Sequence, residues 1–219
     1  MSHLSIIFDL DGTLLDTLDD IAETANQVLD KLQMAQHPRD AYRHYVGEGL
    51  RILMQRSCPG GTDEKTIDHC CALFSEIYER DWKKRCRPYD GIEELLAALK
   101  NLDIPLAVLS NKPHHFAQMF AEEFLPQHLF RAVYGQRKGF ARKPDPTVAL
   151  QIAAELGTEP SRTIFVGDSA IDIATGKNAG MLTAGVLWGF RDVGELTAAN
   201  ADFIISQPME LVDHVVAIA

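Results

Sequence analysis

The stretch Ser5-Ile6-Ile7-Phe8-Asp9-Leu10-Asp11-Gly12-Thr13-Leu14 decides how the chain is to be read. Four residues of short apolar run predict a buried strand, and Asp9-Leu10-Asp11-Gly12 then breaks it into a turn. Downstream the pattern becomes helical. Leu18, Ile21, Ala22, Ala25, Val28, Leu29 and Leu32 recur at i, i+3, i+4 and i+7, with Asp16 or Thr17 available as N-cap. Ile67, Cys70, Cys71, Phe74, Ile77 and Tyr78 make a second such face, opened by Thr62 or Asp63. The breakers His37-Pro38, Gly47-Glu48-Gly49 and Pro59-Gly60-Gly61 lie between, so residues 16–85 read as wholly helical.

From Arg87-Pro88-Tyr89-Asp90-Gly91 the chain alternates helix and strand. Strands are expected at 104–109, 132–134, 163–166, 182–187 and 203–205. Helices are expected over 92–99, from Pro113, from Pro146 as first helical residue, up to Ala179, and over 211–218. Strands separated by helices argue for right-handed βαβ units on a parallel sheet. The fold class is therefore α/β, a Rossmann-like parallel sheet with helices on both faces and an inserted all-helical cap. Residues 1–15 and 86–219 form the core, and 16–85 the cap.

Composition narrows the function. With 219 residues, 46% apolar and 24% charged, the chain matches an ordinary globular protein. No apolar run approaches the roughly 20 residues of a membrane span, and the amino terminus meets acids too soon for a signal peptide. A cytoplasmic protein is expected. The net charge of −10 argues against nucleic acid and anionic lipid as partners. Cys58, Cys70, Cys71 and Cys86 form no C-x-x-C pair and read as reduced structural thiols.

In an open parallel sheet the functional crevice lies beyond the carboxyl ends of the strands. This chain delivers Asp9, Asp11 and Thr13 there from the first strand, Ser110 and Asn111 from 104–109, and Asp168 with Asp172 from 163–166; Lys143 precedes the helix opened by Asp145-Pro146. Singly, these are ordinary turn and cap residues. Together they are not, because two carboxylates about 4 Å apart repel by about 4 kcal/mol at an effective dielectric of 20. Three around one crevice need a cation, and an oxygen-only cluster suits Mg²⁺. The EF-hand, P-loop, nucleophile-elbow and H-E-x-x-H patterns are all absent.

Phe8-Asp9-Leu10-Asp11-Gly12-Thr13-Leu14 resembles the first motif of the haloacid dehalogenase-like hydrolases. Ser110-Asn111 resembles the second, Lys143-Pro144-Asp145-Pro146 the third and Gly167-Asp168-Ser169-Ala170-Ile171-Asp172 the fourth, in the family's order. Within that family the chain is most similar to phosphoglycolate phosphatase-like enzymes. The resemblance implies a Mg²⁺-dependent phosphomonoester hydrolase acting on a small phosphorylated metabolite such as 2-phosphoglycolate. It implies Asp9 as the residue that becomes an aspartyl-phosphate and Asp11 as the proton donor and acceptor. The metal would be held by Asp9, Asp11 through its backbone carbonyl, and Asp168. Gly12, Thr13, Ser110, Asn111 and Lys143 would bind phosphate, and Asp172 would support the metal's water or Lys143.

An acid at Asp11 separates the chain from the dehalogenase and phosphonoacetaldehyde hydrolase branches. A β-phosphoglucomutase-like transferase, a pyrophosphatase and an inactive ligand-binding relative remain as alternatives. The cap loop Tyr45–Arg51, with Gly47, Glu48, Gly49 and Arg51, together with Arg43, is where specificity is expected, since either arginine could pair with a substrate carboxylate. Hinges are expected near Leu15-Asp16 and Arg85–Tyr89. Trp188, Phe190 and Arg191 are assigned to core packing or loop structure rather than to substrate or a second subunit. The sequence leaves the oligomeric state open.

Overall fold

The computed structural model describes residues 4–218. Ser5–Phe8 forms β1, buried along its whole length, with Ile6 and Phe8 on one face of the sheet and Ile7 on the other. It lies at the centre of a six-stranded parallel sheet. To one side stand β4 (Leu106–Pro113) and β5 (Phe130–Gln136); to the other, β6 (Thr163–Gly167), β7 (Leu182–Val186) and β8 (Phe203–Ile205). The order β5-β4-β1-β6-β7-β8 places the change of winding direction beside β1, where a parallel sheet opens its crevice.

Both faces are covered, which a parallel sheet requires. Ile6, Phe8, Leu106, Val108, Ile164 and Val166 pack with α5 (Ile92–Asn101), α6 (His114–Phe124) and α10 (Glu210–Ile218). Ile7, Ala107, Leu109 and Phe165 pack with α7 (Thr147–Leu156) and with Ala179 and Met181, which follow α8 (Ala170–Asn178). Val193–Ala198 forms α9. The fold class read from the sequence is the one observed. Several boundaries differ: β4 starts two residues later than expected and runs on to Pro113, four beyond the expected end, β5 extends two residues past the expected strand at each side, α5 continues to Asn101, and α7 starts at Thr147 with Pro146 as its cap residue.

Between β1 and α5 lie α1 (Leu18–Lys31), a single 3₁₀ turn at Arg39–Ala41, and the helices α2 (Tyr42–Tyr45), α3 (Leu50–Ser57) and α4 (Glu64–Asp81). The predicted apolar faces of α1 and α4 are buried except at Leu32, which follows α1, and Cys71, both half-buried, and Asp63 caps α4 by accepting from Thr66 N at 3.0 Å. Tyr78 of α4 meets Phe116 and Phe120 of α6, so these helices share one apolar core with the sheet. The segment expected to be wholly helical begins in a strand. Leu15–Asp16 (β2) pairs antiparallel with Arg87–Pro88 (β3), so the two expected hinges are hydrogen-bonded to each other. Asp20 braces their base, its carboxylate accepting from Arg85 N and Cys86 N. All four cysteines are free thiols. Among the described residues, no helix is long and apolar enough to cross a membrane.

Candidate active site

Register places the acids. Phe8 stands opposite Val108 on β4 and Val166 on β6, and Asp9 N extends the ladder to Val166 O at 2.8 Å. Asp9 therefore leaves the sheet at the level where β4 passes into Ser110 and β6 into Asp168. One carboxylate oxygen each of Asp9, Asp168 and Asp172 lies within 4.8 Å of the others, and all three residues are buried. Lys143 reaches in from the loop before α7. Its Nζ lies 2.7 Å from Asp172 Oδ1 and 2.8 Å from Asp9 Oδ1, the latter an ion pair rather than an aligned hydrogen bond.

The charges here do not balance. Burial pushes the Asp9 carboxyl up to about 7, opposed by Lys143 and reinforced by Asp172. Burial, reinforced by Asp172 and Asp9, pushes Asp168 well above the usual carboxylate range. Burial alone would lower Lys143, but Asp172 and Asp9 outweigh it and raise its pKa. Three carboxylates against one ammonium, all oxygen donors in a desolvated site, fit a hard divalent cation. Asp172 is the least available as a ligand, because its Oδ2 accepts from Ser169 N at 3.1 Å and Ser169 Oγ at 2.7 Å while Oδ1 holds Lys143. Asp168 is fixed by Phe190 N, which donates to Oδ2 at 2.7 Å.

Gly12 lets the chain pass this acid. It has φ +82°, and a Cβ there would stand 2.4 Å from Asp168 Oδ2. Its N–H donates to Leu15 O, so its contribution is space rather than a hydrogen bond to a ligand. Thr13 Oγ1 is buried with no hydrogen-bond partner, a donor in waiting. Ser110 Oγ accepts from Lys112 N at 3.2 Å, which leaves its proton to give.

Asp11 occupies a different environment. Thr17 Oγ1 donates to its Oδ1 at 2.8 Å, and Lys112 Nζ lies 3.0 and 3.3 Å from its two oxygens. Lys112 also donates to Tyr78 Oη at 3.0 Å and sits 4.2 Å from the Phe120 ring centroid. The Asp11 side chain thus stands outside the cluster of Asp9, Asp168 and Asp172. The sequence reading did not name Lys112, placed Tyr78 only on an apolar helix face, and offered Thr17 as a helix cap; Thr17 does precede α1, but its hydroxyl serves Asp11.

Four expected binding residues are otherwise engaged. Asn111 Oδ1 accepts from Lys143 N at 2.9 Å, while Nδ2 donates to Lys143 O at 3.2 Å and Gly47 O at 3.0 Å. With both donors taken, the amide fixes the Lys143 backbone and the loop opposite instead of a phosphate. Arg51 pairs with Glu64 and Asp68 on the outer side of the helices, and the Glu48 carboxylate with Arg56. Arg43 donates to Gly189 O at 3.0 Å. Of the expected loop residues, Gly47 and Gly49 line the cavity in front of Asp9 and Asp11, beside Val46, Leu50 and Leu53. Trp188, Phe190 and Arg191 brace the site: Trp188 Nε1 donates to Thr13 O and Arg191 to Val46 O, both at 2.9 Å.

The sequence model of the family described as haloacid dehalogenase-like hydrolase matches residues 6–186. The chain is 32% identical over 211 residues to the phosphoglycolate phosphatase of Psychrobacter arcticus, covering 92% of each protein. It is 31% identical to the N-acetylmuramic acid 6-phosphate phosphatase of Pseudomonas aeruginosa, covering 95% of this chain and 93% of that one. Among solved structures, a "predicted phosphoglycolate phosphatase" from Haemophilus somnus superposes with a TM-score of 0.89 at 27% identity, covering 97% of this chain and 98% of the other.

Proposed function

The chain belongs to the haloacid dehalogenase-like hydrolases and is a phosphatase of small phosphorylated metabolites, and from that premise we propose that it is a Mg²⁺-dependent phosphomonoesterase working through an aspartyl-phosphate on Asp9. The relatives make 2-phosphoglycolate the first substrate to test. In this reading residues 1–15 and 86–219 form the catalytic core, and 16–85 a cap that closes the cavity. The observation that carries it is the split of the acids: Asp9 lies among uncompensated carboxylates, whereas Asp11, two residues on, is set apart on Lys112 and Thr17.

Asp9 attacks phosphorus, the P–O bond to the leaving alcohol breaks, and Asp11 gives that oxygen its proton. Asp11 then takes a proton from the water whose oxygen displaces the Asp9 carboxylate and releases inorganic phosphate. Lys143 adds positive charge beside Asp9, while the Thr13 and Ser110 hydroxyls hold the phosphoryl oxygens on which charge accumulates. Asp9, Asp168 and the Asp11 backbone carbonyl would hold Mg²⁺, which would supply the charge neutralisation that lets an anionic nucleophile meet an anionic ester. Asn111 keeps Lys143 in place. The relatives being phosphatases favours water over a sugar hydroxyl as final acceptor.

The test is phosphate release from a panel of phosphomonoesters and pyrophosphate, in Mg²⁺ and after chelation. Metal-dependent release from at least one monoester is expected. Release that survives full chelation, or release from pyrophosphate alone, would overturn the reading.

A further inference from the structure

We propose that Lys112 is the residue that selects the substrate, by pairing with an anionic group on the alcohol that leaves. The inference rests on the hydrolase reading above and adds to it the chemical class of the leaving group.

A phosphoryl group in front of Asp9 must send its leaving group toward the rest of the cavity. That part is walled by Ile21, Leu50, Leu53, Phe74 and Phe116 beside the Tyr78 hydroxyl, a surface with few hydrogen bonds to offer a polyhydroxylated alcohol. Among the described residues Lys112 is the one cation lining the cavity, and its side chain is only 4% exposed. The neighbouring cations stand outside the cavity lining. Lys143 is locked between Asp9 and Asp172, and Arg43, Arg142 and Arg191 each hold a backbone carbonyl, of Gly189, Glu48 and Val46, although Arg191 keeps its buried Nη1 unpaired. Lys112 is held from behind by Tyr78 and Phe120, with Asp11 across from it. The three donors of the ammonium go to Asp11 Oδ1 at 3.0 Å, Asp11 Oδ2 at 3.3 Å and Tyr78, so a second anion takes the place of the longer Asp11 contact and leaves Asp11 Oδ1 and Tyr78 bound. The preferred ligand is a short phosphomonoester whose alcohol bears one carboxylate and little other polar surface.

The experiment compares 2-phosphoglycolate with ethyl phosphate, which has the same chain length and no carboxylate, in the wild type, Lys112→Met and Lys112→Arg, each checked for folding by thermal melting. The wild type is expected to favour the acid in kcat/KM by on the order of 100-fold, the effect of a desolvated charge pair. Lys112→Met should bring that ratio to near unity, chiefly through KM for the acid, and Lys112→Arg should restore most of it. Loss of a merely structural lysine would lower both substrates together and leave the ratio intact, and that outcome overturns the inference. Should Lys112→Met fail to fold, inhibition of the wild type decides. 3-Phosphonopropionate, the non-hydrolysable acid, should bind at least about tenfold more tightly than propylphosphonate, and equal inhibition overturns the inference. Equal turnover of both esters by the wild type sinks the role of Lys112 but not the hydrolase; turnover of no phosphomonoester sinks the hydrolase reading itself.

Discussion

Asp9 and Asp11 leave the same strand two residues apart and enter two differently built halves of one cavity. Around Asp9 the sheet edge gathers Asp168 and Asp172 against a single lysine, so negative charge is in excess and burial raises the Asp9 carboxyl to about 7. Around Asp11 the charge is balanced by Lys112, with Thr17 adding a neutral hydrogen bond. One half is organised for a cation that must be brought in; the other carries its own. Sequence proximity therefore says little about role: the electrostatic partners of each acid come from residues about a hundred or more positions away.

The sharpest way to break this comparison is to neutralise the acid in the anionic half. Asp9→Asn should lower kcat by about 10⁴-fold or more, because the amide cannot form the phosphoenzyme. Full activity in that variant, with deamidation excluded by mass spectrometry, would remove Asp9 from the chemistry. The same change in the balanced half should do less. Asp11→Asn is expected to cost about 10²- to 10⁴-fold on an alkyl phosphate, yet still to show an initial burst with p-nitrophenyl phosphate, whose phenolate leaves without a proton. Equal losses on both substrates, without a burst, would take proton transfer away from Asp11.

The anionic half was legible because its determinants are local. A strand ending in two acids, a late Gly-Asp-x-x-x-Asp and a lysine before a helix can each be read in a few residues, and parallel topology then forces their strand ends together. The balanced half was not. β4 bulges between Leu109 and Pro113, so the alternation that assigns a face to each strand residue does not carry through to Lys112. Tyr78 sits on a correctly read apolar helix face, and nothing in its period shows that its hydroxyl meets a lysine 34 residues on. The arginines failed for a related reason. Arg51 flanks a glycine-rich loop and so resembles a binding residue, but Glu64 and Asp68 lie at the start of a different helix and one turn into it.

The anionic half also makes a prediction about protons. With its carboxyl near 7 before any metal binds, Asp9 is protonated on the acid side of that value and must release the proton to become a ligand. Apparent Mg²⁺ affinity of the metal-free protein should therefore fall as pH drops below 7, by up to about tenfold per unit. Calorimetric titrations in buffers of different ionisation enthalpy would register the released proton. Affinity that stays flat from pH 8 to 5.5 would mean that Asp9 is already ionised without the metal, and the electrostatic contrast between the halves would shrink.

The smallest effect belongs outside both halves. Arg51 pairs with Glu64 and Asp68 at an exposed surface, where solvent screens such ion pairs and they contribute little. Arg51→Ala should therefore change KM for 2-phosphoglycolate by less than about twofold, the scale of a residue that lines no part of the cavity. A tenfold rise in KM would show that the guanidinium leaves its two acids and turns inward when substrate binds. Discrimination would then belong to a moving loop rather than to the fixed lysine on the sheet.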